Sequence, residues 1–124
     1  MTNLFGKISV LLIVTGILAG AFGAHALKET LSPEKLDSYK TGVFYQLFNA
    51  LALLVLSVNS HKFKAGIKTA MILILTGIIL FSGSIYILAT VKHATFLGPV
   101  TPLGGTLMIA GWVTLLFQWK IDKT

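Results

Sequence analysis

Residues 15–28 read TGILAGAFGAHALK: an apolar run with glycines at 16, 20 and 23, closed by one histidine and a lysine. Gly16-x-x-x-Gly20, and the seven-residue stride Ser9, Gly16, Gly23, put small side chains on one side of a helix. In lipid no hydrophobic force drives helices together, so close backbone approach and dispersion contacts must hold them. The stretch therefore predicts a membrane-spanning helix whose glycine face is a packing seam. From Ile8 to Leu27 the uncharged run is 20 residues long. At about 1.5 Å per residue it covers about 30 Å, the thickness of the hydrocarbon core. Lys7, this run and Ala24-His25-Ala26 have the outline of a signal peptide, but a run long enough to span favours a retained helix.

Composition points the same way. Of 124 residues 55% are hydrophobic and 11% charged, a balance that excludes an ordinary soluble domain. The net charge is +6 and every basic residue is lysine. These lysines flank apolar runs rather than covering a solvated face, so they predict contact with the lipid bilayer and no nucleic-acid partner. The chain has no cysteine, which removes disulfides, thiolate metal ligation and cysteine redox chemistry.

Working outward, four spans are expected, near residues 8–27, 43–58, 69–91 and 102–119. Ser32 and Pro33 form an N-cap and first-turn pair, predicting a helix that starts there and continues into the second span. The basic loop at 59–68 is tight. In the third span Ala70, Gly77 and Ser84 repeat at seven residues, as do Thr69, Thr76, Gly83 and Thr90. Gly98-Pro99 is expected to break the helix, with Thr101-Pro102 starting the next and Trp119 anchoring it at the interface. The fold class is all-α: a single-domain integral membrane four-helix bundle with small-residue helix interfaces. Gly16, Gly20, Gly23, Gly77, Gly83, Gly104 and Gly111 are the expected packing residues.

With both termini on one side, that side holds six lysines: Lys7, Lys62, Lys64, Lys68, Lys120 and Lys123. The other holds four, Lys28, Lys35, Lys40 and Lys92, beside Glu29, Glu34 and Asp37. The positive-inside rule then places both termini in the cytoplasm of a bacterial plasma membrane. This topology gathers His25, Tyr45, Gln46, Asn49, Ser82, Ser84, Tyr86, Thr101 and Thr106 in the outer half of the bilayer. Two readings compete for the group. Polar side chains in spans commonly tie helices together. Alternatively they line a small outward-facing polar pocket in which His25 titrates near neutral pH.

No enzyme is expected, because no span carries paired carboxylates or a nucleophile with an evident base. His25, His61 and His93 are far apart in sequence and too few for a zinc site, so no metal and no cofactor is expected. Four short helices enclose little room, so a pore would need oligomerisation. The roles left open are an accessory or small-molecule-handling component, a transporter or channel-like subunit, and a structural partner that packs through an exposed Gly16/Gly20/Gly23 face. A homo-oligomer or a larger membrane complex is compatible with the small-residue faces.

Four motifs in order, GAFGAHALK (20–28), YQLFNALALL (45–54), FSGSIY (81–86) and TPLGG…GW (101–112), carry a resemblance. The chain resembles the small bacterial inner-membrane proteins grouped as domain of unknown function 423, to which a eukaryotic small transmembrane protein looks related. The resemblance covers essentially the whole chain. It implies a multi-pass inner-membrane protein and brings no established activity, substrate or cofactor. The family pattern carries a histidine where this chain has Asn49. A two-histidine pairing with His25 is therefore not open here, which counts against a proton relay or metal site.

Overall fold

The structure, a computed structural model, describes residues 2–121. Four α-helices follow one another: α1 (Thr2–His25), α2 (Pro33–Asn59), α3 (Lys68–Thr90) and α4 (Val100–Phe117). Short 3₁₀ turns at Ser60–Lys62 and Thr95–Leu97 precede α3 and α4. By length and composition the four helical stretches are each able to cross a membrane. Packing is sequential and antiparallel: α1 lies against α2, α2 against α3, and α3 most extensively against α4. The large apolar side chains left over, among them Leu11, Leu18, Phe44, Phe48, Ile79 and Leu116, face outward as a lipid-facing surface.

The observed helix bounds have local causes. α1 begins well before Ile8 because Phe5 is buried in the core, and the hydroxyl of Ser9 donates to the Phe5 carbonyl. Ser32 caps α2 as its residue type predicts: extended backbone, with the side-chain oxygen accepting from Lys35 N at 3.2 Å and Pro33 in the first turn. α4 departs from expectation. Gly98 and Pro99 both have right-handed helical backbone, so the 3₁₀ turn passes into α4 without a break. The helix starts at Val100, and Pro102 falls in the first turn, where its missing N–H has no intrahelical acceptor to lose. Trp119 lies beyond the end of α4, and its ring meets the edge of Phe63. Lys123 lies outside the described residues.

The glycines serve two different purposes. Along α1 they make hollows for α2 side chains. A Cβ on Gly16 would lie 2.7 Å from Leu47 Cδ2, one on Gly20 3.3 Å from Val43 Cγ1, and one on Gly23 would overlap the Tyr39 ring. The Gly16/Gly20/Gly23 face is thus occupied by α2 and is not free to receive a partner. Between α3 and α4 the glycines let backbone meet backbone. A Cβ on Gly77 would lie 2.6 Å from Met108 N, one on Gly111 2.9 Å from Ile74 N, and one on Gly104 would overlap Phe81 N. The Ala70, Gly77, Ser84 stride of α3 is therefore the seam against α4. The parallel stride through Gly83 is turned by one residue, about 100° around the helix. It faces away, and a Cβ on Gly83 would meet nothing within 4 Å. Gly83 is not a packing glycine. Gly42, not singled out in the sequence, is one: its Cβ would lie 3.0 Å from Ile85 Cγ2.

At the end that carries the 60–67 turn, the core is apolar and includes Phe5, Leu53, Leu56, Phe63, Ile67 and Met71. Gly66 turns the chain with φ +73°, a conformation few other residues adopt without strain. The last described residues fold back over this end. Lys64 N donates to Lys120 O at 2.8 Å, and Phe63 pairs with Ile121 in an isolated antiparallel bridge.

A graded alanine series tests the two purposes of glycine. Gly104→Ala, which sets a methyl against backbone, is expected to cost about 1–3 kcal/mol or more. Gly20→Ala should cost less, because Val43 can shift. Gly83→Ala should be neutral or stabilising by up to about 1 kcal/mol through helix propensity. Denaturant titration of helicity in mixed micelles reads all three, and equal losses at Gly83 and Gly104 would contradict this packing.

Candidate functional site

Gln46 lies in α2 and is buried between α1 and α3. Its amide is used on both sides. Nε2 donates to Leu12 O at 2.7 Å and to Thr15 Oγ1 at 2.9 Å, while Oε1 accepts from the Tyr86 hydroxyl at 2.6 Å. One side chain thus bonds to the two helices flanking its own. Seven residues earlier, Tyr39 donates to Ala19 O at 2.6 Å, its ring resting in the hollow at Gly23 and 5.2 Å from the Tyr86 ring. Ser82 of α3 donates to Gly42 O of α2 at 2.7 Å.

Two further ties reach α4. Asn49 satisfies its own Nδ2 on Tyr45 O, and its Oδ1 accepts from Trp112 Nε1 at 2.9 Å. The Ser84 and Thr101 hydroxyls lie 2.5 Å apart across α3 and α4. Helix-to-helix bonds of this kind are strongly specified in hydrocarbon, where an unpaired polar group has no water to turn to.

Of the residues picked from sequence, Gln46, Asn49, Ser82, Ser84, Tyr86 and Thr101 do come together in one half of the bundle. They bond to one another's helices. Asn49 also lines a small side cavity with Tyr45, Phe81 and Trp112. Tyr45 is at the edge, its ring 5.1 Å from Phe81 and its outer face exposed. Thr106 bonds back to Pro102 O on its own helix. His25 is not part of the network: it is exposed at the end of α1, on a shallow surface shared with Leu18, Phe22 and Ala26. The spacing that ends α1 on His25 turns that residue away from α2, whereas Gly16, Gly20 and Gly23 turn toward it. Sequence reading missed Tyr39, Thr15 and Trp112. Tyr39 falls at helical spacing from Gly42 and Gln46, a signal that was available.

Among the described residues no group of three His, Cys, Asp or Glu side chains converges. A cleft of about 720 Å³ lies elsewhere, at the end carrying the 91–99 connection. The start of α2 lines one wall with Glu34, Lys35, Asp37, Ser38 and Thr41. The end of α3 supplies Ile85, Leu88 and Ala89, the residues just after it Val91 and Lys92, and the α4 side Thr95, Gly98, Thr101 and Pro102. Thr101 is the one residue shared between the cleft and the polar network. Toward the opposite end the interior is closed by Leu53, Ile74 and Ile78, each at most 1% exposed.

Four apolar helices tied by buried polar side chains define a small multi-pass membrane protein. A family model described as "Protein of unknown function (DUF423)" matches residues 19–105, and the chain belongs to this family. The chain is 40% identical over 115 residues to the UPF0382 membrane protein YwdK of Bacillus subtilis, covering 91% of this chain and 90% of that one. A UPF0382 membrane protein of Staphylococcus haemolyticus is 37% identical over 116 residues, covering 94% of each. The UPF0382 inner membrane protein YgdD of Escherichia coli is 37% identical over 101 residues, covering 81% of this chain and 76% of that one. No solved structure matches the chain.

The Gln46–Tyr86 bond gives a double-mutant test. Gln46→Leu and Tyr86→Phe should each cost about 0.6–2 kcal/mol, and the pair less than the sum because they share one bond. Strict additivity in unfolding titrations would mean that the bond contributes nothing to stability.

Proposed function

We propose that this chain is a plasma-membrane protein with both termini in the cytoplasm, which holds a small molecule at its outer face and does not conduct solute through its core. The observation that carries the reading is the division of polar groups. Within the bundle they are consumed by helix-to-helix bonds, whereas the cleft at one end presents charges of both signs. Among the described residues none of those charges pairs with another within 4.0 Å. A volume of about 720 Å³ suits a small ligand, since such sites commonly enclose roughly 300–1,000 Å³. Conduction is disfavoured by the apolar closure at Leu53, Ile74 and Ile78.

The orientation rests on charge. Among the described residues the end with the 60–67 turn carries Lys7, Lys62, Lys64, Lys68 and Lys120 and no carboxylate, while the cleft end carries Glu29, Glu34 and Asp37 among its lysines. The chain has no native cysteine, so single reporters are clean. Ser38→Cys should react with a membrane-impermeant maleimide in intact cells, and His61→Cys only after permeabilisation; the reverse pattern would invert the protein.

Binding at the cleft has its own test. Delipidated protein is heated with a panel of water-soluble zwitterions and, separately, with a total membrane-lipid extract. At least one should raise the unfolding midpoint of the wild type and not of Lys92→Gln. If neither the zwitterions nor the extract raises it, the cleft holds no ligand and the proposal fails.

A further inference from the structure

We infer that the cleft between the start of α2 and the end of α3 holds the headgroup of a phospholipid that carries a primary ammonium beside its phosphate. This rests on the cleft being a ligand site and adds the chemistry of its occupant. The first argument is charge. Glu34 and Asp37 offer two carboxylates, and Lys35 and Lys92 two ammonium groups, so the lining has both signs and no net charge. A ligand of matching character is itself a zwitterion. An anionic headgroup would leave both carboxylates unanswered, and a choline headgroup has no N–H with which to donate to them. A primary ammonium donates three hydrogen bonds, and the α2 wall offers acceptors in Glu34, Asp37 and the hydroxyls of Ser38 and Thr41. Lys92, from the α3 wall, answers the phosphate.

The second argument is depth and shape. The cleft opens where α3 ends and α4 begins, the level at which an apolar span gives way to charged sequence. Its apolar lining includes Ile85, Leu88, Ala89 and Pro102. At the same end of the bundle Val91, Phe96 and Leu103 are exposed, Phe96 by 75%. A water-soluble zwitterion would have no use for this apolar surface. A lipid would lay its glycerol and upper acyl carbons along it while its chains stayed in the bilayer.

Native mass spectrometry of the protein released from micelles doped with equal amounts of phosphatidylethanolamine, phosphatidylcholine and phosphatidylglycerol tests the assignment. Wild type should retain the ethanolamine lipid roughly tenfold over each competitor, the scale of one charge-assisted hydrogen bond gained or lost. The double variant Glu34→Gln/Asp37→Asn should lose the preference and Lys92→Gln should lower retention of all three lipids, while Lys64→Gln at the opposite end should change neither. All four positions are exposed, so these changes leave the packing intact. Equal retention of the three lipids, or a preference for the glycerol lipid, would overturn the headgroup assignment. If Lys92→Gln still weakened retention in that case, the cleft itself would stand as a ligand site. Retention indifferent to every cleft substitution would overturn both.

Discussion

Everything in this structure depends on one constraint: inside hydrocarbon a polar group must find its partner within the protein. Gln46 is the clearest instance. An amide in the middle of a span would be costly alone, yet here it engages the Leu12 carbonyl, the Thr15 hydroxyl and the Tyr86 hydroxyl. Because those partners belong to α1 and α3, satisfying one side chain sets the placement of three helices. The apolar surfaces could slide or rotate against each other with little loss. The bonds of Gln46, Tyr39, Ser82, Asn49 and Ser84 define a single register.

Glycine supplies the complementary half of the fold. Between α1 and α2 it admits side chains, and Tyr39 reaches the Ala19 carbonyl only because Gly23 leaves room for its ring. Between α3 and α4 it admits backbone, with Gly104 against Phe81 and Gly111 against Ile74. The second arrangement brings the helix axes closer and produces the most extensive contact in the molecule. It also brings Ser84 within reach of Thr101, so the close seam and the polar tie support each other.

Much of this was legible before any coordinates. Run length and lysine placement mark four spans, and the Ala70, Gly77, Ser84 stride marks the α3 seam, because both follow from helix geometry alone. Two kinds of feature were not legible. Gly83 sits on a stride as regular as that of Gly77, and only the neighbour's position decides which of two faces is covered. His25 looked central because it is the one histidine near the cluster, yet its rotation about α1 turns it outward. The polar residues were found, but not that they use up one another's hydrogen-bonding capacity. That depends on side-chain reach across helices, which no pattern within one helix encodes. The cleft lining escaped notice because Glu34, Asp37 and Lys92 look like ordinary solvated charges in a loop.

The pairing of Phe63 with Ile121 has a consequence for how the chain is tied together. Contacts of α1 with α2, and of α2 with α3, join neighbours in the chain and are open to formation while synthesis continues. The bridge instead joins residues far apart in sequence, Phe63 after α2 and Ile121 after α4. It therefore clasps the chain beyond α4 to the basic turn between α2 and α3.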